Sequence, residues 1–252
     1  MKKMKVGVLR PADEWEESAA ILRNAGLEPV AAPALEIRKL TPHKALLERL
    51  SGADIVIFAS ARAVRTFFSE GENKTGFPSV ARVISIGERT HAELARHGVD
   101  SLKPAAYSSA GIVELVRTMR TEGVSVVVMR SREGSSTLME GLRSMGFDVT
   151  EIPLYSVAYP RNDDALRTLV RDIARGGIYA LPFTSAMMVR NFFRCAEMNC
   201  IMPQFLQKLA DCSLWSIGPE TSAVLREAGA VFTEAAVADY ASIAATIASV
   251  DR

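Results

Sequence analysis

Ile57-Phe58-Ala59-Ser60-Ala61, followed by Val64-Arg65 and Phe67-Phe68, returns 125 residues later as Pro182-Phe183-Thr184-Ser185-Ala186, followed by Val189-Arg190 and Phe192-Phe193. In each copy a short apolar run stops at a serine and a helix-periodic stretch begins at once. That pattern reads as a buried strand, an N-capping serine and a helix laid back on the sheet. Ser85-Ile86-Gly87-Glu88-Arg89-Thr90 likewise returns after 131 residues as Ser216-Ile217-Gly218-Pro219-Glu220-Thr221, each opening a helix closed by Gly98 or Gly229. A third element runs from Arg10 to Gly26 and again, 120 residues on, from Arg130 to Gly146. Three elements repeated in one order describe a single duplicated unit.

Working outward, Val6 to Leu9 reads as a buried strand, Asp13 with Glu16 as a capping box, and Trp15, Ala19, Leu22 and Ala25 as one helix face ending at Gly26. A second strand is expected around Pro29 to Ala34, another over Val126 to Arg130, and a helix over about Ser136 to Met145. Strands alternating with helices give an α/β fold: two similar lobes with parallel sheets flanked by helices. The repeats allow two divisions of the chain. One is tandem, split near residue 122; the other is swapped, with the first segment returning to pack with the last two. Glu151 to Pro160 reads as an extended connector bounded by prolines, with Leu35 to Lys39 as its counterpart if the lobes are swapped.

The 252 residues suffice for two modest cores. With 30 basic and 29 acidic side chains there is no global field to attract nucleic acid or a membrane surface, so an anionic ligand must be held by local groups. The apolar stretch Val6 to Leu9 is far shorter than the roughly 7 to 15 residues of a signal-peptide core, and no run approaches the ~18 residues of a membrane span. A cytoplasmic protein is expected. Cys195, Cys200 and Cys212 lack the paired spacing of a zinc site and read as buried free thiols. His43, His91 and His97 lie on separate segments without metal-ligand spacing, and no nucleotide-binding or nucleophile-elbow motif is present.

The repeated turns carry the functional signal. Ser60 and Ser185 place helix N-termini, with free N–H groups and partial positive charge, at the carboxyl ends of strands, where open α/β sheets hold ligands. Gly87 and Gly218 permit close backbone approach, and Thr90 and Thr221 set hydroxyls in the first helical turn. A carboxylate- or phosphate-bearing small molecule, held in a cleft between the lobes, is the ligand these turns suit.

The ordered set of motifs, Arg10-Pro11, the FASARAV segment from Phe58, SIGERT, Pro104 with the Gly111 helix, VVVMRSREG, EIPLY, FTSAMMV and SIGPET, resembles the uroporphyrinogen-III synthase family over essentially the whole chain. The resemblance implies the swapped division: residues 1–34 and 158–252 in one lobe, 40–152 in the other, and linkers at 35–39 and 153–157. It implies a monomeric lyase without a cofactor or metal. Such an enzyme closes linear hydroxymethylbilane, with loss of water and inversion of the last pyrrole ring, to uroporphyrinogen III. By motif position Tyr155 in EIPLYSV is the implied proton donor, since a phenol is protonated at neutral pH. Ser60, Gly87, Thr90, Ser185, Gly218 and Thr221 are the implied contacts to substrate carboxylates. Ala59 stands where a threonine is common, and Ser135-Ser136-Thr137 replaces a stretch that often carries glycine and arginine. A noncatalytic two-lobed binding or regulatory protein for an anionic small molecule is the alternative of another class.

Overall fold

In the computed structural model, which describes residues 4–69, 78, 81–119, 123–200 and 202–249, the apolar runs form strands. In chain order these are β1 (Lys5–Val8), β2 (Glu28–Ala31), β3 (Glu36–Lys39), β4 (Ile55–Phe58), β5 (Arg82–Ser85), β6 (Ser125–Ser131), β7 (Asp148–Ala158), β8 (Ala180–Phe183), β9 (Ser213–Ser216) and β10 (Thr233–Glu234). They make two sheets, ordered β10-β9-β8-β1-β2 and β3-β7-β6-β4-β5. In the first, β1 is parallel to β2 and β8, and β9 to β8 and β10. In the second, β4 is parallel to β5 and β6, and β6 to β7. Parallel strands need crossover connections, which the intervening helices supply. Two compact units result: Met1–Glu36 with Ala158–Arg252, and Ile37–Val157. Residue 122, where a tandem division would fall, and Met1 to Lys3 lie outside the described residues.

In the Ile37–Val157 unit, period-two alternation divides each strand between two cores. Val56 and Phe58 of β4 and Val127 and Met129 of β6 pack on one face with Ala63, Val64, Phe67 and Phe68. Ile55, Ile57, Val126 and Val128 pack on the other with Ile112, Val116, Leu138 and Leu142. In the second unit Val6 and Val8 of β1 and Trp215 of β9 meet Tyr240, Ile243, Ala244 and Ile247 of the helix Tyr240–Ser249.

Three details depart from the sequence expectations. The capping box at Asp13 and Glu16 does not form: Ala12–Glu14 is a 3-10 turn and the helix Trp15–Asn24 starts with Glu14 at its cap, without a side-chain cap hydrogen bond. Pro11 opens that turn by accepting from the Glu14 N–H at 2.9 Å, while the Glu14 carboxylate is drawn to the Arg10 guanidinium. Residues Glu36–Lys39 and the connector from Glu151 to Ala158 are strand, neighbours in the second sheet. Pro153 argues against a central strand because it has no N–H to donate; the pairing of β6 with β7 becomes irregular beside it, between Arg130 and Ser131. Finally, Cys195 and Cys212 are buried free thiols but Cys200 is only half-buried. Burial pushes the Cys212 thiol up to about 12.

Gly26, Gly98, Gly146 and Gly229 end their helices in the left-handed region, with φ between 70° and 83°. At Gly146 nothing lies within 4 Å of where a Cβ would stand, so the requirement is conformational and not steric. Gly146→Ala is expected to cost about 1 kcal/mol of unfolding free energy. A denaturant melt with an unchanged midpoint would show that the helix end relaxes freely.

Candidate functional site

The sequence-derived residues fall at the carboxyl ends of parallel strands, Ser60, Gly87, Thr90 and Tyr155 in the Ile37–Val157 unit and Ser185, Gly218 and Thr221 in the other. Two residues beyond β4, Ser60 caps the helix Ala61–Ser69, its Oγ accepting from the Ala63 N–H at 3.0 Å. The same Oγ lies 3.0 Å from the Tyr155 phenolic oxygen, where either hydroxyl can donate. Tyr155 is 7% exposed and shares a core cluster with Phe58, Ile152 and Leu154. An unbroken strand would send Leu154 and Tyr155 to opposite faces. Here Arg130 pairs with Pro153 but Ser131 with Tyr155, so Leu154 is an extra residue and the facing switches across it. The Arg132 N–H, at 2.9 Å from the Tyr155 carbonyl, fixes the new register. This bulge aims the phenol at Ser60.

The turn after β5 is tied to β4 by the Ile86 N–H, which donates to the Phe58 carbonyl at 3.1 Å. Gly87 precedes the helix Glu88–Arg96 with an extended backbone, φ 179°, so its need for glycine is steric: an added Cβ would lie 3.0 Å from the Tyr107 ring. Glu88 beside it is held below the usual carboxylate range, chiefly by its hydrogen bond with Lys103 at 2.5 Å. An anion approaching this helix start therefore meets a carboxylate already paired with an ammonium. Thr90 is 3% exposed, which leaves the main-chain N–H groups of the first turn as the donors it can offer.

Ser185 caps the helix Ala186–Asn199 by accepting from the Met188 N–H at 3.3 Å. The next turn is again tied to the strand beside it, the Ile217 N–H donating to the Phe183 carbonyl at 3.0 Å. Gly218, with φ 170°, has nothing within 4 Å of where a Cβ would stand, and Thr221 is 3% exposed. Alanine at either glycine loses the same small N-cap preference, whereas only Gly87 is overlaid by an aromatic ring. Gly87→Ala is expected to be about 1 kcal/mol more destabilising than Gly218→Ala. Equal thermal shifts would mean that Tyr107 moves aside without cost.

Several constraints were not visible as sequence motifs. Arg130, the last residue but one of β6, is buried, with Nη1 donating to the Ser135 carbonyl at 2.7 Å, Nε to the Ser131 carbonyl at 3.3 Å, and Nε 3.2 Å from Glu151. Its guanidinium lies where a Cβ on Gly134 would be, so Gly134 is what lets the loop after β6 fold over it. The serines of the repeated turns anchor buried chains: Ser101 Oγ donates to Ser85 Oγ at 3.0 Å and meets His91 Nδ1 at 2.9 Å, and Ser222 bridges Ser216 and Glu234 at 2.5 Å each. His97 stacks on Phe68 with centroids 4.4 Å apart. Matched repeats in the sequence were the available signal for Ser85 and Ser216 and, through the Arg10–Arg130 correspondence, for Arg130; its burial under the loop at Gly134 was not visible there.

A family model described as uroporphyrinogen-III synthase HemD matches residues 16–248. A provisionally named uroporphyrinogen-III synthase of Methanothermobacter thermautotrophicus is 26% identical over 228 residues, covering 89% of each chain. One of the same name from Archaeoglobus fulgidus is 28% identical over 227 residues, covering 90% of each. Among solved structures, a mutant uroporphyrinogen III synthase of Thermus thermophilus superposes with a TM-score of 0.65 at 17% identity over 95% of both chains. The Helicobacter pylori synthetase gives 0.60 at 18% identity over 96% of both. At these identities the superpositions bear on the fold alone. No helix among the described residues is long and apolar enough to cross a membrane.

Proposed function

Because the chain belongs to the uroporphyrinogen-III synthase family, we propose that it is a cytoplasmic lyase acting on hydroxymethylbilane, with Tyr155 as the acid that eases departure of the terminal hydroxyl. Family membership over residues 16–248 is the observation that carries this reading. The phenol supports it: its hydroxyl is held at the carboxyl end of a parallel sheet, where ligands of such folds bind.

The reaction loses the hydroxyl as water, forms a bond from the substituted α-carbon of the last ring to give a spiro intermediate, then fragments and re-closes with that ring reversed. Oxidation states balance with water as the only product besides the macrocycle, so no oxidant, reductant or nucleotide is consumed. Two demands fall on the protein: a proton for the leaving group, and a folded conformation of the substrate chain. The helix starts at Gly87, Ser185 and Gly218 offer backbone N–H groups to the substrate carboxylates, with Thr90 and Thr221 shaping the first turns from within. Local donors of this kind suit a chain of net charge +1.

The test supplies freshly generated hydroxymethylbilane to the purified protein without metal or nucleotide, oxidises the product and separates the porphyrin isomers. Type III in excess, formed faster than spontaneous closure, is expected. Type I alone at the spontaneous rate, from folded protein, would overturn the proposal in favour of a noncatalytic anion-binding protein.

A further inference from the structure

We infer that Ser60 is a positioning residue for the Tyr155 phenol, connecting it to the positive end of the helix Ala61–Ser69, and is not a grip for a substrate carboxylate. The inference rests on the proposed function above. A serine hydroxyl has one hydrogen and two acceptor positions. One acceptor position is taken by the Ala63 N–H at 3.0 Å, and Tyr155 at 3.0 Å takes either the hydrogen or the second acceptor position. With Ser60 donating to the phenol oxygen, the phenolic hydrogen is free for the substrate and Ser60 has no hydrogen left to offer a carboxylate.

The duplicated fold supplies an internal control. Ser185 stands at the matching place and caps its helix through the Met188 N–H; among the described residues its hydroxyl meets no phenol. Capping therefore does not require a tyrosine. The phenol has been added in one unit only, by a bulge that places one extra residue, Leu154, before it. Pro153, which has no N–H to give the ladder, stands at the irregularity, and the extra residue after it turns Tyr155 into the core cluster that Ile152 and Leu154 already enter.

The chemistry gives the contact a purpose. When the hydroxymethyl C–O bond breaks, its electron pair leaves with oxygen, the Tyr155 O–H proton converts that oxygen to water, and the pyrrole nitrogen's lone pair fills the vacancy at carbon. Tyr155 is left as phenolate. Ser60 then turns its hydrogen to the phenolate oxygen while still accepting from Ala63, and the helix dipole stabilises the negative charge through that bond. The ring proton displaced on final closure restores the phenol, so protons balance over the cycle. Because the Ser60 bond becomes charge-assisted only as the proton leaves, its contribution falls on turnover more than on binding.

Ser60→Gly is the decisive variant, because glycine caps a helix nearly as well as serine yet has no hydroxyl. Type III formation is expected to fall about 10-fold in kcat, with KM changed less than about 3-fold, and Tyr155→Phe to fall about 100-fold. Ser60→Thr, which keeps the hydroxyl and the cap, should restore most of kcat. The Ser60→Gly, Tyr155→Phe double variant should be no slower than Tyr155→Phe alone. A raised KM with unchanged kcat would make Ser60 a carboxylate grip, and losses that multiply in the double variant would make the two residues independent; either overturns the inference. Wild type giving no type III would remove the parent reading, and full turnover by Tyr155→Phe would remove the acid assignment, each distinguishable from failure at Ser60 alone.

Discussion

Phe58→Ala is expected to destabilise the Ile37–Val157 unit by about 4 kcal/mol, the cost of deleting a large ring from a core that cannot close over the gap. The side chain is 0% exposed. It meets Phe67 edge-on with centroids 6.0 Å apart and Phe68 nearly parallel at 6.4 Å, while those two rings pack edge-on at 5.0 Å. Phe67 and Phe68 are adjacent residues of one helix and cannot both slide into the vacancy. Tyr155 belongs to the same cluster, and Ser60 follows Phe58 by two residues, so the cavity also loosens the two hydroxyls. Hydrogen exchange read by peptide separates the units: protection should fall in β4, β6 and β7 and persist in β1, β8 and β9. A loss under about 2 kcal/mol would mean that the aromatic cluster repacks.

What the sequence made legible follows from what duplication preserves. The N-caps at Ser60 and Ser185 and the left-handed glycines at Gly26, Gly98, Gly146 and Gly229 depend on local geometry, which each copy restates, and they stand in the structure where the repeats place them. Helix Trp15–Asn24 begins later than its sequence signals suggest because Pro11 and the Arg10–Glu14 pair compete with a capping box that has no counterpart in the second copy. Glu151 to Pro160 reads as an extended connector bounded by prolines; in the structure it is strand as far as Ala158, and the irregularity at Pro153 is taken up across the sheet, in the pairing of Ser131 with Tyr155. Of the site, the residue types at the strand ends were legible but their partners were not. Ser60 and Tyr155 are 95 residues apart, and Gly134 explains Arg130 only once the loop is folded over it. Thr90 and Thr221 are each 3% exposed, a burial that a hydroxyl's place in a first helical turn does not reveal in the sequence.

Arg130→Met is expected to cost about 3 kcal/mol, the low end for breaking a buried ion pair, because Glu151 is 36% exposed on its side chain and regains water. Methionine fills similar volume without donors, so the loss reports hydrogen bonds and not a cavity. The carbonyls of Ser131 and Ser135 lose their guanidinium donor, and the Ser131–Thr137 loop loses the group it is wrapped around. Arg130→Lys should recover little, because a single ammonium cannot span two carbonyls and a carboxylate as the planar fork does. Gly134→Ala attacks the same contact from the other side: its Cβ would overlap Nη2 and force the guanidinium out. Displacement of one group underlies both changes, so the Arg130→Met, Gly134→Ala double variant should be scarcely less stable than Arg130→Met alone. Ser131 also sets the register that aims Tyr155, so each variant is expected to slow type III formation along with its loss of stability. Full activity in an Arg130→Met protein shown to be folded would mean that the bulge in β7 holds its register without the loop, leaving Arg130 a purely stabilising residue.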